Sequence, residues 1–428
     1  MLEPFPVGVE DINNDLFEIH PEHKRRHISI FGKSGVGKTT LLQNMITWDI
    51  RQGVGVTVID PHGGLIHDIL KAIPRSRTND VIFFNPQDPK RVPAINILES
   101  VTEDQKPLVV SSIISILKNI WAENWGPRTE YILSNAAFAL LEQSEPQTLL
   151  AVPKLLTDSK FRERIIENTT DPAVLGFFDI YDNHWNARFR EEAISPLLNK
   201  ANKFITNSLL RDVIGQKKSS FDFRTMMDKG QILLCDLSKG ALGGDVSSLL
   251  GSLIVTKLSL AALSRQDMPE EKRKLHVLYA DEVQNFIYGV DFSTILSEAR
   301  KYRLALCIAT QTLTQLPKDS LASVFGNVGT LISFRVSGDD AETLQTEFAT
   351  KLPARLLQDL PDYYLYIRSL LVEGSNPSRP HEPKLVKAVR PLEGFGDRNT
   401  ERIIRASHER FTRPRAEVEA KLTKFLAS

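Results

Sequence analysis

Residues 32–40 read GKSGVGKTT, a run whose composition is that of a phosphate holder. Gly32, Lys33, Ser34, Gly35, Val36, Gly37, Lys38, Thr39 and Thr40 match the pattern G-x-x-x-x-G-K-[ST] with one residue beyond it. Glycines let successive backbone N–H groups converge on phosphate oxygens. Lys38 then neutralises the β and γ charges, and the Thr39 hydroxyl is a ligand for magnesium. The cofactors this asks for are ATP and Mg²⁺.

Magnesium held in this way needs a second acid. Three apolar runs end in aspartate: VTVID at Asp60, QILLCD at Asp236 and LHVLYADE at Asp281 and Glu282. Only the third ends in two adjacent carboxylates. That pair divides the labour, Asp281 ordering the metal shell and Glu282 polarising an attacking water. An enzyme passing phosphate to another substrate needs no base for water, whereas a hydrolysing motor does. Asp236 is expected to cap its strand end. Asp60 stands in DPHGGL, where it either caps the turn or, with His62, supports the nucleotide.

The elements that must position these groups are legible around them. His27 to Phe31 form an apolar strand, and Leu41, Leu42, Met45 and Ile46 recur at helical spacing. In FSTILSEARKYRLALCIATQ, residues Phe292, Ile295, Leu296 and Ala299 make one helix stripe with Arg300 at its margin. LALCIAT then runs apolar, as buried parallel strands do, and delivers Gln311 to a strand tip. Beside a phosphate loop a glutamine there hydrogen-bonds the γ-phosphate or the water; the alternative is an ordinary turn residue. The fold class is α/β. In an open sheet of this kind ligands bind beyond the carboxyl ends of the strands.

Composition sets outer limits. Apolar and charged fractions of 42% and 25% are those of a soluble globular chain, and 428 residues suffice for more than one domain. Basic and acidic residues balance at 53 each, so no global field draws the chain to DNA or membrane, and any positive surface must be local. Cys235 and Cys307 lie in apolar strands and are expected as buried, reduced thiols of a cytoplasmic protein. The acidic start MLEPFPVGVEDINND has no signal-peptide core. Val246 to Leu263, interrupted by Lys257 and serines, reads as a buried helix, so membrane insertion is not expected.

Together RHISIFGKSGVGKTTLL, VIDPHGGL, LYADEVQNF, SEARKYRLALCIATQ and GNVGTLISFRVSGDDAE resemble the conjugative coupling-protein branch of the FtsK/HerA ATPases, from about Arg25 to about Ile367. The resemblance implies a RecA-like P-loop NTPase fold, a mostly parallel sheet flanked by helices. It implies a ring, usually a hexamer, that moves DNA through a channel, with a relaxase or secretion-system protein as possible partner. It implies that Lys38 and Thr39 are the loop pair, Asp281 and Glu282 the metal and water carboxylates, and Gln311 the sensor. Arg300 matches the arginine that such proteins insert in trans into a neighbour's ATP site, with Arg335 as second candidate. A planar, permanently charged donor suits the charge on a transferring phosphoryl group.

About 240 residues separate Lys38 from Asp281, more than a compact P-loop core needs. Helical runs punctuated by prolines fill residues 107–216, which resemble the all-helical domain that coupling proteins insert. The expected order is an N-terminal extension (1–24), motor (25–106), inserted all-α domain (107–216), motor (217–370), and a linker with a short helical C-terminal tail (371–428). Within the insert, Trp121, Trp125 and Arg128, then Trp185, Arg188 and Arg190, either stack on bases or form a helical core with a solvated edge. From Ser378 the tail carries 12 basic and 7 acidic side chains, a local excess that would either steer DNA or dock a partner, or belong to a solvated amphipathic helix pair packed on the motor. Membrane helices and a leading β-barrel, both found among relatives, are not expected here.

The reading is an ATP-hydrolysing, ring-forming DNA translocase. Two rivals fit the same core: a secretion-type ATPase acting on protein, and a nucleotide-controlled scaffold, such as a defence-complex subunit. Neutral net charge favours both rivals over DNA.

Overall fold

The computed structural model describes residues 2–99, 101–121, 125–287, 290, 292–348, 352–369, 382–392 and 397–427. Thirteen strands are labelled in chain order: β1 (Phe5–Glu10), β2 (Leu16–Ile19), β3 (Ile28–Phe31), β4 (Gly55–Asp60), β5 (Val81–Phe84), β6 (Arg91–Val92), β7 (Ile232–Asp236), β8 (His276–Ala280), β9 (Leu304–Thr310), β10 (Thr330–Ser333), β11 (Tyr364–Ser369), β12 (Lys384–Ala388) and β13 (Arg413–Pro414). Eleven build one sheet in the order β2-β1-β12-β11-β10-β3-β9-β8-β4-β7-β5. The run from β10 to β5 is parallel, and β11, β12, β1 and β2 extend it antiparallel. This is an α/β RecA-type P-loop fold.

Buried parallel strands are apolar on both faces. Val56 and Val58 of β4 belong to one core, with the helix Lys38–Arg51 and Ile66 and Ile69 of the helix Gly64–Ala72. Ile59 belongs to the other, with the helix Gly244–Leu263 and the helices between Lys106 and Ile214. The inserted helices therefore share an apolar core with one sheet face. The helix Gly244–Leu263 is long and apolar enough to cross a membrane, yet most of it is buried in the protein. Gly251 lets it approach so closely that an added Cβ would fall 2.1 Å from the Phe286 ring. Cys235 and Cys307 are buried free thiols, held up out of the thiolate range by burial.

Two segments contribute more than the sequence suggests. Residues 1–24, expected as an extension, supply β1 and β2, and a buried Lys24–Asp49 ion pair fastens them to the helix Lys38–Arg51. The phenol of Tyr279 in β8 donates to the other Asp49 oxygen at 2.6 Å, so both carboxylate oxygens are engaged, which helps a buried charge to be tolerated. In the tail, β12 joins the sheet between β1 and β11. The helices Asp397–Phe411 and Arg415–Ala427 follow where two helical patterns stand in the sequence, while most of the stretch expected as a linker, 372–383, lies outside the described residues. Arg415 joins three regions. It donates to Asp212 Oδ2 of the insert at 2.6 Å, and to the Pro86 and Asp88 carbonyls beyond β5 at 2.7 and 2.9 Å.

The insert's tryptophans are mostly core. Trp121 packs on Phe204 with ring centroids 4.4 Å apart, and Trp185 sits among Phe177, Tyr181 and Phe189. Trp125 donates to Glu130 at 2.8 Å. Arg190 covers Tyr181 and the exposed Arg128 lies over the Phe189 ring, while Arg188 faces solvent.

Candidate nucleotide-binding and catalytic site

Four neighbouring parallel strands end at one edge, and each delivers part of the site. The phosphate loop follows β3, Gln311 follows β9, Asp281 and Glu282 follow β8, and Asp60 ends β4. Because β9 lies between β3 and β8, Gln311 is interposed between the loop and the acid pair. A cavity of about 340 Å³ opens there, lined by the loop, His62, Asp281, Glu282, Gln311 and Tyr363.

The loop needs glycine for local reasons. Gly37, which starts the helix Lys38–Arg51, has φ 116°, and a Cβ on it would lie 3.0 Å from the Tyr363 ring and 3.2 Å from Phe334. The Lys33 N–H is held by the Arg335 carbonyl at 2.8 Å, which joins the loop to the end of β10. Val36 is buried and anchors the loop in the core, whereas Lys33, Ser34 and Gly35 are exposed. The Lys38 amine rests on the carbonyls of Gly32 and, at 2.8 Å, Lys33. Burial draws it below its ordinary pKa, and the charges of Glu282 and Asp281 oppose that.

Thr39 donates to Asp281 Oδ2 at 3.1 Å, which places a hydroxyl and a carboxylate together at the end of the loop. Burial pushes the Asp281 carboxyl up to about 6, assisted by the charges of Glu282 and Asp60 and opposed by Thr39 and Lys38. A carboxylate so poorly solvated gains most from a divalent cation. Magnesium binds through one or two protein oxygens plus phosphates and waters, and this donor set fits it. The residues present thus fit Mg²⁺–ATP, with the loop and Lys38 on the phosphates and Thr39 and Asp281 towards the metal. When bound, the metal spreads negative charge from the β and γ oxygens.

Glu282 is the most constrained residue of the site. Its φ of 50° is left-handed, costly for a non-glycine residue and characteristic of functional positions. Its N–H donates to Asp281 Oδ1 at 3.0 Å, and its side chain is buried. Gln311 donates to Glu282 Oε1 at 2.6 Å and Gln284 to Oε2 at 2.7 Å. Gln284 also accepts from Thr310 at 2.9 Å, so the two glutamines are tied to the same strand tip. Both carboxylate oxygens are thereby fixed in orientation at the wall of the cavity.

Asp60 resolves towards capping. Its oxygens accept the N–H groups of His62 and Leu65 at 2.8 and 2.9 Å, leaving His62 to face the cavity. Asp236 also caps, accepting from Ser238 N–H at 3.2 Å.

The two arginines sit at opposite edges. Arg335 follows β10 at the loop edge, where it donates to the Leu360 carbonyl and pairs with Asp362 at 2.7 Å. Arg300 is exposed just before β9, at the far edge, roughly 20 Å away by the length of that strand. Its guanidinium makes no ion pair among the described residues, and partial desolvation, with Arg26 and Arg25 nearby and Glu22 and Glu270 opposing, lowers its pKa. His27 holds this corner. Its Nδ1 accepts the Leu306 N–H of β9 at 3.0 Å, and its Nε2 donates to the Leu296 carbonyl at 2.9 Å. The ring therefore joins the start of the loop strand to the helix leading to Arg300.

Sequence reasoning missed Gln284, Tyr363 and His27. A polar residue two places after an acid pair could have flagged Gln284. Nothing in PDYYLYI marks which tyrosine would line a cavity.

Residues 16–351 match the family model described as the type IV secretion-system coupling protein DNA-binding domain. No curated protein matches the sequence. Among solved structures, the plasmid coupling protein TrwB in complex with ADP and Mg²⁺ is 16% identical, with 93% of this chain and 92% of that chain covered and a TM-score of 0.62. An unbound form of the bacterial conjugative coupling protein TrwBdeltaN70 is likewise 16% identical, with 92% of both chains covered and a TM-score of 0.60. VirB4 of Thermoanaerobacter pseudethanolicus is 13% identical, with 90% and 96% covered and a TM-score of 0.58. The family match spans most of the sequence and the structural likeness nearly all of it: the chain belongs to the type IV secretion-system coupling protein DNA-binding domain family.

Proposed function

We propose that the protein is an ATP-hydrolysing, ring-forming DNA translocase of the coupling-protein type. The observation that carries this reading is the acid pair: Asp281 beside Thr39 for the metal, and Glu282, buried and held by two glutamines, for the water. Glu282 is the general base and Gln311 the group that aligns it. Arg300 acts on the ATP of a neighbouring subunit, since it lies a strand's length from its own loop. Arg335 is the weaker choice, being engaged by Asp362 beside its own loop. A ring, most simply a hexamer, supplies the neighbour, and DNA is the track. The test is ATP-driven displacement of streptavidin from the biotinylated end of a DNA. Displacement that requires hydrolysable ATP supports translocation; a preparation that hydrolyses ATP yet displaces nothing overturns it.

A further inference from the structure

We propose that Tyr363 grips the nucleobase of the bound nucleotide by stacking, which makes it a base-binding residue that separates nucleotides from bare polyphosphate without choosing among bases. The proposal rests on the reading of this cavity as an ATP site. Tyr363 has φ 67°, an outlier for a bulky side chain. Both its backbone groups hold it there: its N–H donates to the Val36 carbonyl of the phosphate loop at 2.9 Å, and its carbonyl accepts the Ala388 N–H at 2.9 Å. The ring is thereby placed against Gly37 at the mouth of the cavity, its Cδ1 3.0 Å from where a Cβ on that glycine would stand. Gly37 keeps the loop from displacing it.

Other tyrosines are used differently. Tyr279 and Tyr181 are buried, with hydroxyls donating to Asp49 and to the Leu156 carbonyl. Tyr363 is 51% exposed, and among the described residues its hydroxyl makes no hydrogen bond. Strained backbone that holds an aromatic ring open beside a phosphate loop serves a planar ligand rather than the core. Stacking reads a π-face, not a base edge, so purine triphosphates should bind alike.

The experiment is calorimetric binding of Mg²⁺–ATP, Mg²⁺–GTP and Mg²⁺–tripolyphosphate to the full chain, the Tyr363→Phe variant and the Tyr363→Ala variant. Tyr363→Phe should bind all three as wild type does. Tyr363→Ala should weaken ATP and GTP by roughly 5- to 150-fold, with tripolyphosphate unchanged. Unchanged nucleotide affinity in Tyr363→Ala overturns the proposal, as does an equal loss of tripolyphosphate, which would assign the ring to the loop. Wild-type protein that binds none of the three overturns the ATP-site reading and this inference with it.

Discussion

Gln311 and Gln284 grip opposite oxygens of Glu282, at 2.6 and 2.7 Å, so the carboxylate has one orientation and faces the cavity that Lys38 and Thr39 line. Glu282→Gln should bind ATP at wild-type affinity and lose roughly 10²- to 10⁴-fold in turnover, the usual contribution of a positioned base. Gln284→Ala should fall between the two. Steady-state kinetics with nucleotide binding decides this, and near-normal turnover in Glu282→Gln would refute the role.

The far-edge position of Arg300 makes a prediction about mixtures. Arg300→Ala should keep nucleotide binding and lose on the order of 10³-fold in kcat. Mixed with Lys38→Ala, which lacks the phosphate-binding amine, it should regain activity, because some interfaces then pair an intact loop with an intact arginine. Titrating one variant into the other at fixed total protein reads this directly. Activity that stays flat at every ratio would place the arginine in cis or outside the reaction.

Two buried histidines set a pH dependence. Burial lowers His27 to about 4 and His276 to about 3, from an ordinary 6.5. The unfolded chain therefore binds more protons than the folded one between those values, so stability falls as pH drops from 6.5 towards 4. Each histidine adds up to about 1.4 kcal/mol per pH unit to that loss. The buried Asp281, raised to about 6, acts in the opposite sense, so the histidine share is read by difference. His276→Gln should flatten the urea midpoint between pH 6.5 and 4.5 relative to wild type. Parallel curves would show that His276 is not buried neutral.

Arg415→Met leaves Asp212 buried beside only Arg211, 3.5 Å away, and burial already raises the Asp212 carboxyl. Removing one partner of a buried pair costs roughly 3–5 kcal/mol, while replacing both costs far less. Chemical denaturation should therefore find Arg415→Met well below wild type and the Asp212→Leu/Arg415→Met double variant closer to it. A single variant within about 1 kcal/mol of wild type would mean that the tail contributes little to the fold.

Much of the candidate site was legible because its residues sit where strand meets loop: the glycine-rich pattern announces Lys38 after β3, and apolar runs lead directly into Asp281 and Gln311. What escaped depends on long-range register. The order of β3, β9 and β8 interposes Gln311, and no local pattern encodes it. β1 and β2 are too short and mixed to declare themselves a sheet edge, and Asp60 could be assigned to capping only once its N–H partners were placed. Tryptophan–arginine interleaving read as a stacking surface or, in preference, as a helical core, because exposure is a property of packing.

The central claim is tested most directly by steady-state ATP hydrolysis with and without single- and double-stranded DNA, at low and high salt. The account predicts Mg²⁺-dependent hydrolysis that one DNA form accelerates several-fold, with the acceleration fading as salt weakens phosphate contacts. Hydrolysis indifferent to every DNA at both salt concentrations would contradict it and favour a polypeptide or an assembly partner as what the ring acts on.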